Sequence, residues 1–204
     1  SGVSLSTCLA IMPEAIPGVY LQAYEVARLS RCVDFVFVMA YDMTGPSPDP
    51  DRPHCSNSPL DGVTTGLHWY LSHGVDPSSV VLGLPWYGYD YVCNGTVATC
   101  CSQDLNPANH TGLGHAQIGF GPAMDLLRHN ATAAGRQWNN HSMSPFFEYH
   151  SEADGQRHQV WFSDIDSLKL RYKLVRELGL KGVGFWPADI GSVVGPGGTG
   201  AGLW

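Results

Sequence analysis

Three short apolar runs in this 204-residue sequence each lead into side chains suited to a polar, ring-shaped ligand. Phe35-Val36-Phe37-Val38-Met39-Ala40 runs into Tyr41-Asp42. Val80-Val81-Leu82-Gly83-Leu84-Pro85 runs into Trp86-Tyr87. Gly182-Val183-Gly184-Phe185 runs into Trp186. Together these ends offer one carboxylate among aromatic rings. Aromatic faces stack on the apolar faces of sugars, and a tyrosine hydroxyl beside a carboxylate can bond sugar hydroxyls and amides. On the residues alone two readings stand: a carbohydrate site, or aromatics that cap a barrel core.

The runs themselves indicate what positions those side chains. Each is short, continuous and rich in β-branched and aromatic residues, the pattern of strands buried on both faces of a parallel sheet. Val3 to Ile11 is a weaker fourth candidate. Helical patterns fall between them. Residues 20–31 form one. Asp61 is expected to cap a second, with Val63, Leu67, Tyr70 and Leu71 on its apolar face and Gly74 just beyond its end. Asp164 or Asp166 caps a third, whose face is Ile165, Leu168, Tyr172, Val175 and Leu178, with Gly179 as its stop. Repeated strand–helix–strand units imply right-handed crossovers and a parallel sheet. In such architectures ligands bind at the carboxyl ends of the strands, where Tyr41, Asp42, Trp86, Tyr87 and Trp186 stand. Residues 89–163 break the rhythm and read as an inserted subdomain. Near its end, residues 146–150 and 158–162 flank Asp154-Gly155 as a β-hairpin. Residues 191–204, rich in glycine, read as a flexible tail.

Composition narrows the class. Apolar residues make up 44% and the formal charge is −7. That supports a packed core and argues against nucleic-acid binding, because no Lys/Arg cluster exists to neutralise phosphates. No run approaches the ~18 apolar residues that a membrane span needs. Four N-x-S/T sequons, at Asn94, Asn109, Asn130 and Asn140, accompany six cysteines and only three lysines. The expectation is a glycosylated chain of the secretory pathway, lysosomal or secreted. Cys93 with Cys100 or Cys101 could close a short loop. The nine histidines are scattered, so no metal site is expected. The chain opens at Ser1 without a signal-peptide pattern, which suggests a processed start or a fragment.

FVFVMAYD (35–42) resembles the Met-x-Tyr-Asp strand of glycoside hydrolase family 18, the chitinase family. VVLGLPWYGYDYVC (80–93) resembles that family's Gly-x-Pro-x-Tyr-Gly strand in its chitobiase-like form. Most members carry Arg where this chain has Tyr89. HQVWFSDIDSLKLRYKLVRELGLKGVGFW (158–186) resembles the last hairpin, helix and strand. The resemblance implies an α/β fold, the second half of a (β/α)8 TIM barrel, with an inserted α+β subdomain after the seventh barrel strand. Residues 1–88 would be the partial barrel, 89–163 the insertion and 164–190 the last helix and strand. The whole barrel typically needs ~250 residues, so an N-terminal half would be missing.

The resemblance also implies a reaction. Family members hydrolyse glycosides with the substrate's own N-acetyl group as nucleophile and without a cofactor. Tyr41 would donate to the acetamido carbonyl, and Asp42 would bond the sugar and set local charge. Trp186 would floor the sugar, Met39 would line the pocket, and Trp86 and Tyr87 would form walls. The implied partners are GlcNAc-containing oligosaccharides: β1-4 GlcNAc–GlcNAc of N-glycan cores and chitin. The family's Asp-x-x-Asp-x-Asp-x-Glu motif, which carries the general acid, is absent from these residues. None of Glu14, Glu25, Glu148, Glu152 and Glu177 is assigned to that role. Two alternatives follow: a non-catalytic lectin that binds GlcNAc oligomers, and an inactive truncated product.

Overall fold

The computed structural model describes residues 4–11, 25–43, 55–93 and 115–187. Four parallel strands form one sheet. They are β1 (Ser6–Ala10), β2 (Phe35–Met39), β3 (Val80–Pro85) and β9 (Gly182–Trp186), in the order β1-β2-β3-β9. The register is continuous: Val38 faces Leu82, and Leu82 faces Val183. The pairing runs on past the strand ends, with Ala40 N–H donating to Gly83 C=O at 3.0 Å and Trp86 N–H to Trp186 C=O at 2.8 Å.

One face of this sheet is the core. Val36, Val38, Ala40, Val80, Leu82 and Leu84 are buried there against Val63, Leu67 and Tyr70 of α2 (Leu60–Ser72) and Leu168 and Val175 of α4 (Ile165–Glu177). A shorter helix, α1 (Val26–Ser30), adds Val26. Only the end of the helix expected over 20–31 lies among the described residues. The other face differs from expectation. Phe35, Phe37 and Met39 alternate with the buried valines and are only half buried. The continuous apolar run indicated two covered faces, but among the described residues no helix covers this one. Phe37 lies across the bare backbones of Gly83 and Gly184. A Cβ built on either glycine would sit 2.3 or 2.5 Å from the Phe37 ring.

The helix ends follow local chemistry, with one correction. The α2 helix begins at Leu60 after an extended Pro59, so Asp61 lies in the first turn instead of capping it. The orphan Leu60 N–H donates instead to Ser142 C=O at 2.9 Å. Gly74 follows the helix with φ +82°, where a side chain would be strained. Asp164 caps α4: its carboxylate accepts from Ser167 N–H at 3.0 Å, and Ser167 Oγ accepts from Asp164 N–H at 2.9 Å. Ile165, expected on the apolar face of α4, is exposed. The face contains Arg171, one turn from both Leu168 and Val175.

Arg171 is 1% exposed. Its Nη1 donates to Met143 C=O at 2.8 Å and Ser167 C=O at 2.9 Å. Its Nη2 donates to Ser58 C=O, to Ser142 C=O at 3.3 Å and to Ser144 Oγ at 3.1 Å. Burial pulls its pKa down to about 10, against the pull of Asp164 and Asp61, so the guanidinium remains charged at neutral pH.

Between β3 and α4 the chain builds a second, antiparallel sheet. It contains β4 (Tyr87–Val92), β5 (His115–Gly119), β6 (Gln137–Asn139), β7 (Ser144–His150) and β8 (Arg157–Trp161), in the order β5-β4-β8-β7-β6. The expected hairpin is β7–β8, with Gly155 at φ +69° in its turn. A helix that sequence periodicity did not reveal, α3 (Phe120–His129), packs Ala123 against Phe147, Tyr149, Val160 and Phe162. No described helix is long and apolar enough to cross a membrane. Asn94, Asn109, Cys100, Cys101, Glu14 and the tail 191–204 lie outside the described residues. Asn130 and Asn140 are exposed, and Cys8 and Cys32 are free thiols.

Two substitutions test this packing by urea unfolding. Gly83→Ala forces a methyl into the Phe37 ring, and the overpacking is expected to cost about 1–3 kcal/mol. Arg171→Met leaves the Ser58, Ser142 and Met143 carbonyls without this donor, an expected loss of about 3 kcal/mol.

Candidate active site

Because β2, β3 and β9 are parallel neighbours, their carboxyl ends share one edge of the sheet. Tyr41 and Asp42 follow β2, Trp86 follows β3, and Trp186 ends β9. The chain then turns directly into β4, which brings Tyr87 to the same edge.

Asp42 is the centre of this edge. One carboxylate oxygen, Oδ1, accepts from the Tyr87 hydroxyl and from the Tyr89 hydroxyl, the latter at 2.8 Å. Its backbone lies at φ +56°, a left-handed conformation that costs energy for a residue with a side chain. Asn57 holds it there. Asn57 Oδ1 accepts from Asp42 N–H at 2.7 Å, its Nδ2 donates to Tyr87 C=O at 3.1 Å, and its own carbonyl accepts from Met43 N–H at 3.1 Å. Asn57 is 3% exposed, so a single buried amide ties the end of β2 to the start of β4.

Tyr41 stands beside this pair. Its ring meets the Tyr87 ring edge-on at 6.3 Å between centroids. Burial, reinforced by Cys8 and Asp42, pushes its pKa up to about 12. Burial and then the Asp42 carboxylate also raise Tyr87 and Tyr89, while Tyr91 is raised by burial, Tyr89 and Asp42 in that order. All four phenols are therefore neutral hydrogen-bond donors across the physiological range. The arrangement is a carboxylate held by neutral hydroxyls, suited to accept from and donate to an uncharged polar ligand.

The remaining expected residues divide into two groups. Met39 is half buried on the open face of the sheet, and Trp186 presents an aromatic surface that is 55% exposed. Trp86 packs its ring edge-on against Phe185, 4.4 Å between centroids, and with Phe120, Phe162 and Leu168 lines a small apolar recess. Tyr87 is 2% exposed, and its hydroxyl is directed to Asp42. Of the glutamates, Glu148 lies in β7, where it accepts from Gln159 Nε2 at 3.1 Å. Glu25 flanks α1 in an exposed pair with Arg28, and Glu177 lies in α4 paired with Lys173. Among the described residues no group of three or more His, Cys, Asp or Glu is placed to hold a metal ion.

Two contributors were not anticipated. Tyr89 was legible, since Tyr87, Tyr89 and Tyr91 alternate and a strand must place them on one face. Asn57 carried no such signal, because it works through backbone groups distant in sequence.

Residues 6–190 match the family described as Glycosyl hydrolases family 18. The "Probable di-N-acetylchitobiase 1" of Dictyostelium discoideum is 34% identical over 177 residues, which is 82% of this chain and 48% of that protein. The di-N-acetylchitobiase of Rattus norvegicus is 30% identical over 176 residues, 84% of this chain and 47% of that protein. The chain thus spans about half the length of the curated relatives it matches. The crystal structure of the family 18 chitinase from Cycas revoluta in complex with (GlcNAc)3 superposes with a TM-score of 0.67 at 20% identity, over 92% of this chain and 52% of that one. The arrangement of the strands, the residues at their carboxyl ends and these matches lead to one conclusion: this chain belongs to glycosyl hydrolase family 18, and its fold is α/β.

Proposed function

We propose that this chain forms the sugar-holding part of a glycosidase that cleaves β1-4 GlcNAc–GlcNAc bonds in chitin oligosaccharides and N-glycan cores. One observation carries the reading. The Asp42 carboxylate is fixed at the carboxyl edge of the parallel sheet by two tyrosine hydroxyls and Asn57, with a protonated Tyr41 hydroxyl beside it. Family membership supports hydrolysis, and the chitobiase relatives support a GlcNAc–GlcNAc bond.

In this reading the four parallel strands are the last four of a (β/α)8 barrel. Residues 1–88 are the partial barrel, 89–163 an insertion after the seventh strand, and 164–190 the closing helix and strand. The substrate's acetamido oxygen attacks its own anomeric carbon as the leaving oxygen takes a proton, and water then opens the cyclic intermediate with retention. Tyr41 donates to the acetamido carbonyl and turns its oxygen toward the carbon. Asp42 accepts from the same sugar and offsets positive charge as it develops. Trp186 stacks beneath the ring, and Met39, Trp86 and Tyr87 shape the walls. The proton for the leaving oxygen comes from an acid outside these 204 residues, so the segment alone binds without cleaving efficiently; that acid is worth ~10²–10⁴ in rate. The sequons and cysteines fit a glycosylated, lysosomal or secreted protein.

The absence of Asp-x-x-Asp-x-Asp-x-Glu from these residues also favours a second reading, a lectin for GlcNAc oligomers. Joining the segment to a barrel half that carries the acid separates the two. Cleavage of a chromogenic chitobioside supports the glycosidase, and binding without cleavage supports the lectin.

Binding to the 204-residue chain tests the site itself by calorimetry. Tyr41→Phe is expected to weaken (GlcNAc)3 about tenfold, the equivalent of one lost hydrogen bond of about 1.4 kcal/mol. Its de-N-acetylated counterpart should be little affected. Asn57→Ala should weaken (GlcNAc)3 by a similar factor of about ten, since releasing the Asp42 N–H removes one hydrogen bond of preorganisation. Equal binding of both oligomers by wild type, unaltered by Tyr41→Phe, would remove Tyr41 from its assigned role.

A further inference from the structure

Strand alternation places Tyr87, Tyr89 and Tyr91 on one face of β4 and Gly88, Asp90 and Val92 on the other. That second face carries a polar cluster with no part in the reading above. Asp90 Oδ2 accepts from the Tyr149 hydroxyl at 2.6 Å, and Asp90 Oδ1 lies 2.9 Å from His158 Nδ1. The other ring nitrogen, Nε2, lies 3.0 Å from Asp154 Oδ2. Asp90 belongs to β4, Tyr149 to β7, His158 to β8 and Asp154 to the turn between β7 and β8. His158 is 8% exposed.

A neutral imidazole has one N–H, so it can satisfy only one of two carboxylates. An imidazolium satisfies both. The geometry points to an acid-dependent clamp in which the His158 cation, bridging Asp90 and Asp154, locks the β7–β8 hairpin onto the strand that carries Tyr87 and Tyr89.

The groups around the ring all favour its charge or are neutral. Asp90 faces it from β4, Asp154 from the turn, and Tyr149 from β7, its hydroxyl 3.3 Å from Nδ1. Beyond β4, β5 sets Ala116 opposite Asp90. The helix α3 covers this face with Ala123 and its apolar neighbours, while its Asp125, Arg128 and His129 are exposed. On β8 itself Arg157 alternates to the opposite face, and in the turn Glu152 is exposed. Burial disfavours the cation, but the Asp154 and Asp90 carboxylates outweigh it, so His158 titrates above the ordinary histidine range. The Gln156 N–H and His158 hold Asp154 down at about 2.

The pH window follows from these directions. His158 has a higher pKa folded than unfolded, so its stabilisation is complete below ~6.5 and is lost as pH rises through the folded value. Asp154 is lower folded than unfolded, so its share is complete above the ordinary carboxylate range and is lost as pH falls toward about 2. The clamp is whole in mildly acidic solution and opens on the alkaline side.

The clamp goes beyond the glycosidase reading, and its test needs no glycan. On the full 204-residue chain, ¹⁵N NMR of the imidazole at pH 5 should show both His158 nitrogens protonated, with a midpoint above that of an unstructured histidine. The thermal midpoint of the wild type should fall by about 3 °C more between pH 5 and pH 8.5 than that of His158→Gln. Asp154→Asn keeps an acceptor for Gln156 N–H and disturbs the fold less. It should lower the His158 midpoint and flatten the same profile. A ring with one N–H at pH 5, or an unshifted midpoint in Asp154→Asn, would overturn the clamp. Parallel thermal profiles for wild type and Asp154→Asn would overturn it as well.

Discussion

A buried cation ties α4 and the segment before α2 to the second sheet. Arg171 reaches from α4 into a space where the chain turns back on itself twice, at residues 58 and 142–144, and supplies donors to both turns. A guanidinium so placed is costly to desolvate, and the acceptors around both Nη atoms offset that cost, while the buried Nε finds none. The acceptors here are mainly backbone carbonyls, which are partly negative without carrying a formal charge. The planar fork suits them: its several N–H groups diverge, so one side chain can bond several oxygens that do not bond each other.

The consequence reaches the candidate site by a short path. Ser58, held by Arg171, follows Asn57, and Ser56 on its other side shares a 2.8 Å hydrogen bond with Ser144. Asn57 therefore projects from a segment fixed on both sides. Its amide is rigid enough to keep Asp42 in a left-handed backbone conformation, which the segment around residue 42 would not hold without support. From there the pattern is simple: one anion, several phenols whose protons stay on, and an exposed indole two strands away on β9. β4 links this site to the polar cluster on its opposite face, because Tyr89 and Asp90 are adjacent residues on one extended backbone.

Much of this was legible in the sequence, for identifiable reasons. The strands of the parallel sheet showed because continuous apolar runs contrast with everything around them. The ends of α4 showed, as Asp164 or Asp166 at the start and Gly179 at the stop, because such residues act through contacts within one turn; Ser167, which completes the cap of Asp164, was not read. Tyr41 and Asp42 could be placed because they directly follow a strand, so their position at one edge of the sheet comes with it. The rest was hidden by distance in sequence. Asn57 and Arg171 bond backbone groups up to 113 residues away, and nothing at those positions announces a partner. Asp61 misled because an acidic residue near a helix start reads as a cap, whereas the true first donor is met by Ser142 from the second sheet. The helix α3 escaped because its burial depends on a sheet whose strands are short and separated by long connections. The half-buried second face was unreadable too, since an apolar run does not say which element will cover each of its sides.

The Phe37 ring spans three strands, resting on Gly83 of β3 and Gly184 of β9. At that level of the sheet two of the three strands thus contribute no side chain to this face, and one ring fills the space for all of them. Change at this level of the sheet is consequently confined. The glycines cannot grow without displacing the ring. A larger residue at 83 or 184 therefore requires a smaller one at 37, so in evolutionary terms these three positions should change together rather than singly.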